Sequence, residues 1–233
     1  MGPEDASHAP GLDVEAEALH RLDGSEAFTQ LMDLDSGHRA MVAGPPTGGR
    51  ALPSRPSTSA SVGGVELDQA IRGRRTHKAY GPDPVDRETL DELFDLARWA
   101  PNHHLTNPWR FRVLGFEALT RLKASAGPEA AGKLDRAPTL VCASVVLSGD
   151  AIQDEEDICA AASAVYILLV AAHARGLAGY WRTPGVLRTP DGAAAVGMGR
   201  DELFVGLIHL GHAREEKRPP DRVPPADFVT YLP

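Results

Sequence analysis

The sequence predicts an α+β fold with helices packed on a mainly internal sheet. Three stretches carry that expectation. Thr139–Leu147 (TLVCASVVL) is an unbroken apolar run rich in β-branched residues, as a central strand covered on both faces requires. Trp109, Phe111 and Val113 alternate with Arg110 and Arg112, which is the two-residue period of a strand. Ile158–Ala174 (ICAAASAVYILLVAAHA) is apolar around most of a helical circumference. It is short for a membrane span and is broken by Ser163, Tyr166 and His173, so it reads as a helix buried in a core or at a subunit interface.

In chain order, Leu67, Ala70 and Ile71 suggest a short helix with Gly73 placed to end it. Asp86 is the expected N-cap of a second helix, in which Leu90, Leu93, Phe94 and Ala97 form one apolar stripe and beyond which Pro101 bars continuation. The alternating strand follows, then a helical stretch, then the Thr139–Leu147 strand. The long helix is expected to start in the acidic Gln153–Asp157 run, where the macrodipole favours carboxylates. It should end at His173 and Arg175, with Gly176 as its left-handed terminator. Leu203–Leu210 (LFVGLIHL) is the last strand.

The first 64 residues read differently. Most of the net charge of −8 lies there, and Gly44–Gly64 is dominated by Gly, Pro, Ser and Thr. Such a segment buries too little apolar surface to offset its chain entropy. Residues 1–64 are therefore expected to be a disordered extension and linker, and 65–233 the folded domain. Leu12, Ala16 and Leu19 give at most a weak helical stripe in the extension.

With 233 residues, 42% hydrophobic and 24% charged, the composition is that of a globular chain with one sizeable core. The acidic balance argues against nucleic-acid or membrane-surface binding. The start lacks the basic and apolar regions of a secretory signal. Cys142 and Cys159 lie in apolar runs and form no CxxC pair, which suits a reducing cytoplasm and small core residues. P-loop, HExxH and GxSxG patterns are absent, and Gly197-Met198-Gly199 lacks the third glycine of a dinucleotide fingerprint. His103 and His104 are adjacent, a spacing that does not converge on one metal, so no metal site is expected.

The residues with chemical promise fall in three segments. Arg74, Arg75 and Thr76 follow the first helix; two guanidinium forks and a hydroxyl suit phosphate oxygens, though a solvated basic turn has the same composition. Lys78 and His103 are polar groups for which an exposed lysine or a loop-satisfying histidine is the plain alternative. Trp109 is read as core. Trp181, Arg182 and Thr183 follow Gly176 and Gly179, and a tryptophan beside an arginine in a glycine-flanked loop suits a flat heteroaromatic ligand, unless Trp181 simply plugs the core. Arg214, Lys217 and Arg218 are further cations among which the sequence does not choose.

Together, Ile71–Val85 (IRGRRTHKAYGPDPV), Ala97–Leu114 (ARWAPNHHLTNPWRFRVL) and the long helix running into Arg175–Pro184 (RGLAGYWRTP) resemble the FMN-dependent nitroreductase family, in particular its compact bacterial NAD(P)H nitroreductase branch. LFVGLIHLGHA and the terminal DFVTYLP are similar to that branch as well, so the resemblance spans about residues 65–233. It implies a mainly antiparallel central sheet flanked by helices, in a homodimer whose C-terminal segment wraps onto its partner. It also implies an oxidoreductase that uses NADH or NADPH to reduce nitroaromatic, quinone or similar small-molecule acceptors in ping-pong fashion. Arg74, Arg75 and Thr76 would hold the FMN phosphate and ribityl chain, and Lys78 would lie near the flavin pyrimidine. His103 would approach the flavin across the dimer interface, and Trp181, Arg182 and Thr183 would form a second flavin-contacting stretch. The cofactor carries the redox chemistry, so no side chain is assigned a catalytic role. Phe116–Pro138 is shorter than in many members, which points to a more open pocket. A flavin-sequestering protein without turnover stays open beside the enzyme reading. So does a specialised relative that performs flavin fragmentation, dehalogenation or azoline oxidation.

Overall fold

The computed structural model describes residues 66–233; the expected extension and linker over residues 1–64 lie outside the described residues. Four antiparallel strands form one sheet in the order β1-β2-β4-β3, with β1 at Trp109–Val113, β2 at Thr139–Val146, β3 at Ala178–Arg182 and β4 at Glu202–Gly211. The helices are α1 (Leu67–Gly73), α2 (Arg87–Ala97), α3 (Phe116–Ala131), α4 (Ala151–Ala174) and α5 (Pro190–Ala195). The α+β expectation holds, as does the antiparallel sheet.

β2 and β4 are central and covered on both faces. Val141, Ala143, Ile208 and Leu210 join Leu90, Leu93, Leu168 and Leu169 in one buried cluster, under α2 and α4. Leu140, Cys142, Phe204 and Leu207 join Leu122, Leu134 and Ala195 in a second cluster on the α3 and α5 side. Two covered faces explain why β2 reads as a continuous apolar run. Burial raises the Cys142 thiol to about 12, so it is an inert core residue, and both cysteines are free.

The helix boundaries follow side-chain chemistry. Asp86 caps α2, accepting the Thr89 amide at 2.8 Å. α4 begins earlier than the acidic run suggests, because Asp150 accepts the amides of Ile152 and Gln153 at 3.0 Å and so fixes the first turn. It ends as expected. Gly176 has φ +76°, its amide donates to the His173 carbonyl, and the Leu177 amide donates to that of Ala172, which is the paired closure of a Schellman motif. α4 is long and apolar enough to cross a membrane by composition, but half of its most apolar window is buried, with Ala164, Val165 and Leu168 against the sheet.

Three features depart from the sequence reading. Ala178–Arg182, read as a glycine-flanked loop, is an edge strand paired with β4. Five residues are too few for alternation to show, and the pairing partner lies some 30 positions away. The short helix α5 also has no counterpart in that reading; Thr189 caps it by accepting the Gly192 amide. Val113, placed on the apolar side of β1, is 48% exposed at the end of this edge strand. Its neighbour Arg112 is instead half-buried, paired through both guanidinium nitrogens with Glu202 and bonded to Ser144.

Candidate functional site

The segment after α1 runs along the outer edge of β3. Thr76 pairs with Gly179 as an isolated parallel bridge, and the His77 amide donates to the Gly179 carbonyl at 3.2 Å. Further on, the Gly81 amide donates to His212 and the Arg214 amide to Ala79, so residues 79–81 pair with the chain leaving β4. The Tyr80 hydroxyl, deep in the core, donates to the His77 carbonyl at 2.8 Å and pins the crossover. In this way two sequence-distant stretches, 74–81 and 178–182, form one edge.

That edge is strongly cationic. Arg74 and Arg75 are half-buried at the turn, and Arg75 donates to the Arg74 carbonyl at 2.6 Å while its buried Nε has no partner. Neither arginine joins an ion pair among the described residues. Of the three C-terminal cations the sequence left undecided, Lys217 reaches this turn, donating from Nζ to the Thr76 carbonyl at 3.1 Å. Arg214 lies farther along, at Ala79. Two histidines lie in this field. Burial first, and the Lys217 ammonium second, hold His77 below the ordinary imidazole range. Burial and then Arg74 and Arg75 do the same to His173, on the last turn of α4. Thr76 and Lys78 are exposed beside this turn.

The β3 residues divide by strand alternation. Trp181 is half-buried against the α4-side cluster, and its indole N–H donates to the Val205 carbonyl at 3.1 Å. A bulge in β4 permits this. The β2–β4 register slips between Ala143 and Ser144, leaving Val205 as the extra residue, and Gly206 supplies the space: a Cβ there would lie 2.1 Å from Trp181 Nε1. Trp181 thus plugs the sheet with its polar tip occupied. Arg182 points to the other face and donates to the Lys133 carbonyl at 3.4 Å; Thr183 is exposed just beyond the strand.

His103 stands apart from the Arg74 turn within the chain. It is in the 3-10 turn His103–Leu105, stacked on His104 at 3.9 Å, with Nδ1 2.8 Å from Glu156 of α4. The loop is held in an uncommon backbone shape, with His104, Leu105 and Asn107 at φ +53°, +53° and +47°. Thr106 fastens it by donating to the buried Asp157 carboxylate at 2.6 Å. The sequence reading missed Thr106, Asp157, Glu156, His77 and His173. Only the QDEED run hinted at any of them, and it does not say which acid faces the loop.

Known proteins resemble this chain in part of its sequence and in its fold. Residues 71–132 match the model of the nitroreductase family. YfhC of Bacillus subtilis, which carries an NAD(P)H nitroreductase name, is 24% identical over 184 residues, 71% of this chain and 94% of that protein. The structure of a nitroreductase-like family protein from Bacillus cereus superposes with a TM-score of 0.66 at 22% identity, covering 72% of this chain and 96% of that one. That of the FMN and NADPH-dependent nitroreductase NfnB from Sphigopyxis sp. strain HMH does so with a TM-score of 0.62 at 17% identity, covering 72% and 100%. The family match lies on the Arg74 turn and the elements that follow it, and a nitroreductase-like architecture recurs over the rest of the described chain, so the chain is similar to nitroreductases in sequence over residues 71–132 and in fold throughout the described residues.

Proposed function

We propose that this protein is a homodimeric FMN-dependent oxidoreductase that uses NADH or NADPH to reduce nitroaromatic, quinone or similar small acceptors. The observation that carries the reading is the excess of positive charge at the Arg74 turn: two arginines without acidic partners among the described residues, an orphaned buried guanidinium nitrogen, and Lys217, which leans over the same backbone and lies 3.7 Å from Glu215. A phosphate dianion suits that turn. The residues present therefore fit FMN, with Arg74, Arg75 and Thr76 holding its phosphate end and Lys217 joining them. Lys78 is placed to favour negative charge on the pyrimidine end. His103, latched to Glu156, is offered to the partner subunit's site, and Arg182 and Thr183 close the β3 side. The indole N–H of Trp181 is already used within the sheet, so its part would be to stiffen β3.

FMN, when bound, supplies two-electron transfer from the nicotinamide to the acceptor. The chain's own contribution is to bind, orient and exclude water. One open face serves both substrates, since no dinucleotide fingerprint offers a second site, and the two half-reactions then alternate. Dimerisation is supported by exposed apolar surface. Leu67, Ile71, Leu96 and Tyr166 rim a groove along α1, α2 and α4, and Phe228, Tyr231 and Leu232 of the C-terminal segment are each more than two-thirds exposed. We place the protein in the cytoplasm, in keeping with its two free thiols.

The decisive experiment is a visible spectrum of the purified protein followed by anaerobic addition of NADH or NADPH. A yellow protein that bleaches, and parallel double-reciprocal lines with an acceptor, are expected. A colourless protein refutes the reading; a yellow one that does not bleach makes it a flavin-sequestering protein. Intersecting lines refute the shared face.

A further inference from the structure

A second cationic concavity lies at the other end of the 74–81 segment. It has a volume of about 410 Å³ and is lined by Lys78, Tyr80, Asp135, Arg136, Pro138 and Arg214, among others. Its three cations come from three separate parts of the chain: the segment after α1, the 3-10 turn Leu134–Arg136, and the stretch after β4. None of the three joins an ion pair among the described residues. The one carboxylate on the wall, Asp135, is already paired with Lys123. The walls are firm. Tyr80 is buried and pinned to the His77 carbonyl, the Arg214 amide is bonded to Ala79, and Pro138 leads directly into the central strand β2. In a chain with a net charge of −8, three exposed cations without ion-pair partners among the described residues converge on one concavity, and such a concavity attracts anions.

We propose that this concavity is an anion subsite that takes the negatively charged substituent of a substrate: a phosphate monoester on the nicotinamide donor or a carboxylate on an aromatic acceptor. It is distinct from the Arg74 turn. Arg214 and Lys217 sit on opposite ends of the same short ribbon, at Ala79 and Thr76, and Lys78 is the residue the two sites share. The volume suits a substituted ring or sugar better than a bare ion. The assignment of the anion to a substrate rests on the oxidoreductase reading above; the existence of the subsite does not.

The test uses the FMN-loaded full-length protein, in which the Arg74 turn is filled. Calorimetric titration is run with 2′-AMP, which bears the phosphate that separates NADPH from NADH, with adenosine as its neutral control. 4-Nitrobenzoate is titrated against 4-nitrobenzamide in the same way. One anion is expected to bind where its neutral control does not, and to lose about ten- to a hundredfold in affinity in Arg136→Ala and independently in Arg214→Ala, the scale of one charge-assisted hydrogen bond. If 2′-AMP is the responsive ligand, the kcat/KM preference for NADPH over NADH falls by the same factor in Arg136→Ala. If 4-nitrobenzoate responds, the preference for the charged acceptor falls instead. Failure of both anions to bind, or binding that neither variant weakens, overturns the proposal. A protein that carries no flavin refutes the oxidoreductase reading alone, because the titrations still decide the subsite.

Discussion

Protonation of one core histidine is expected to destabilise this fold as the pH is lowered. His209 lies on β4, fully buried, opposite Leu140 of β2 and Tyr180 of β3, with the Tyr180 ring centroid 5.6 Å away. Among the described residues neither ring nitrogen has a hydrogen-bond partner. Burial first, then the nearby Arg182 and Arg136 charges, lower its pKa from 6.5 to about 4. A base whose folded pKa is depressed binds its proton more readily when unfolded. Stability is therefore complete above about pH 6.5 and is lost as pH falls toward 4. Linkage with those two pKa values gives a loss of about 2 kcal/mol at pH 5 and about 3 kcal/mol at pH 4, approaching 3.4 kcal/mol below that. His209→Leu removes the titration and leaves an apolar group among Leu140, Leu207 and Tyr180. Burial and nearby cations lower His77 and His173 as well, so the informative quantity is the difference between the two proteins. Urea unfolding at pH 7.5, 5 and 4 should show the wild type losing about 2 and then about 3 kcal/mol more than the variant. Parallel pH profiles would refute the reasoning, because they would mean that the ring is already protonated or partnered in the folded state.

Other consequences follow from the same geometry. Gly206→Ala puts a methyl 2.1 Å from Trp181 Nε1; forced repacking and loss of the Val205 bond should cost about 2–4 kcal/mol in urea unfolding, and FMN should bind more weakly as β3 shifts. Arg74→Ala should weaken FMN binding about ten- to a hundredfold by fluorescence titration, whereas Lys78→Ala should mainly lower the flavin's reduction potential; equal loss of flavin from both would end that division of labour. Deleting residues 1–63 should leave flavin content and Tm nearly unchanged, and a truncated protein that loses its flavin would show the extension to be part of the domain.

Much of the fold was legible because local chemistry dictates it. Asp86 and Gly176 announce helix ends by side-chain and backbone preference, the β-branched run at 139–147 admits little but a central strand, and the spacing of Leu90, Leu93, Phe94 and Ala97 marks the buried face of α2. The run Arg74, Arg75 and Thr76, two cations and a hydroxyl, also stands out in the sequence, since charge and hydroxyl chemistry need no partner to be noticed. What the sequence did not determine depends on groups far apart in the chain. β3 is a strand because β4 offers it an edge, and Trp181 is held in the sheet because a bulge at Val205 and the missing side chain of Gly206 make room for it. Lys217 rather than Arg218 reaches the Arg74 turn because the chain leaving β4 pairs with Ala79 and Gly81. The fastening of the His103 loop by Glu156 and Asp157 likewise needs the first turns of α4 to lie against a loop some 50 residues earlier. Propensity and periodicity act over a few residues and are written in the sequence; the pairing of edges, the filling of space and the summing of charge act across the folded chain, and only the tertiary structure decides them.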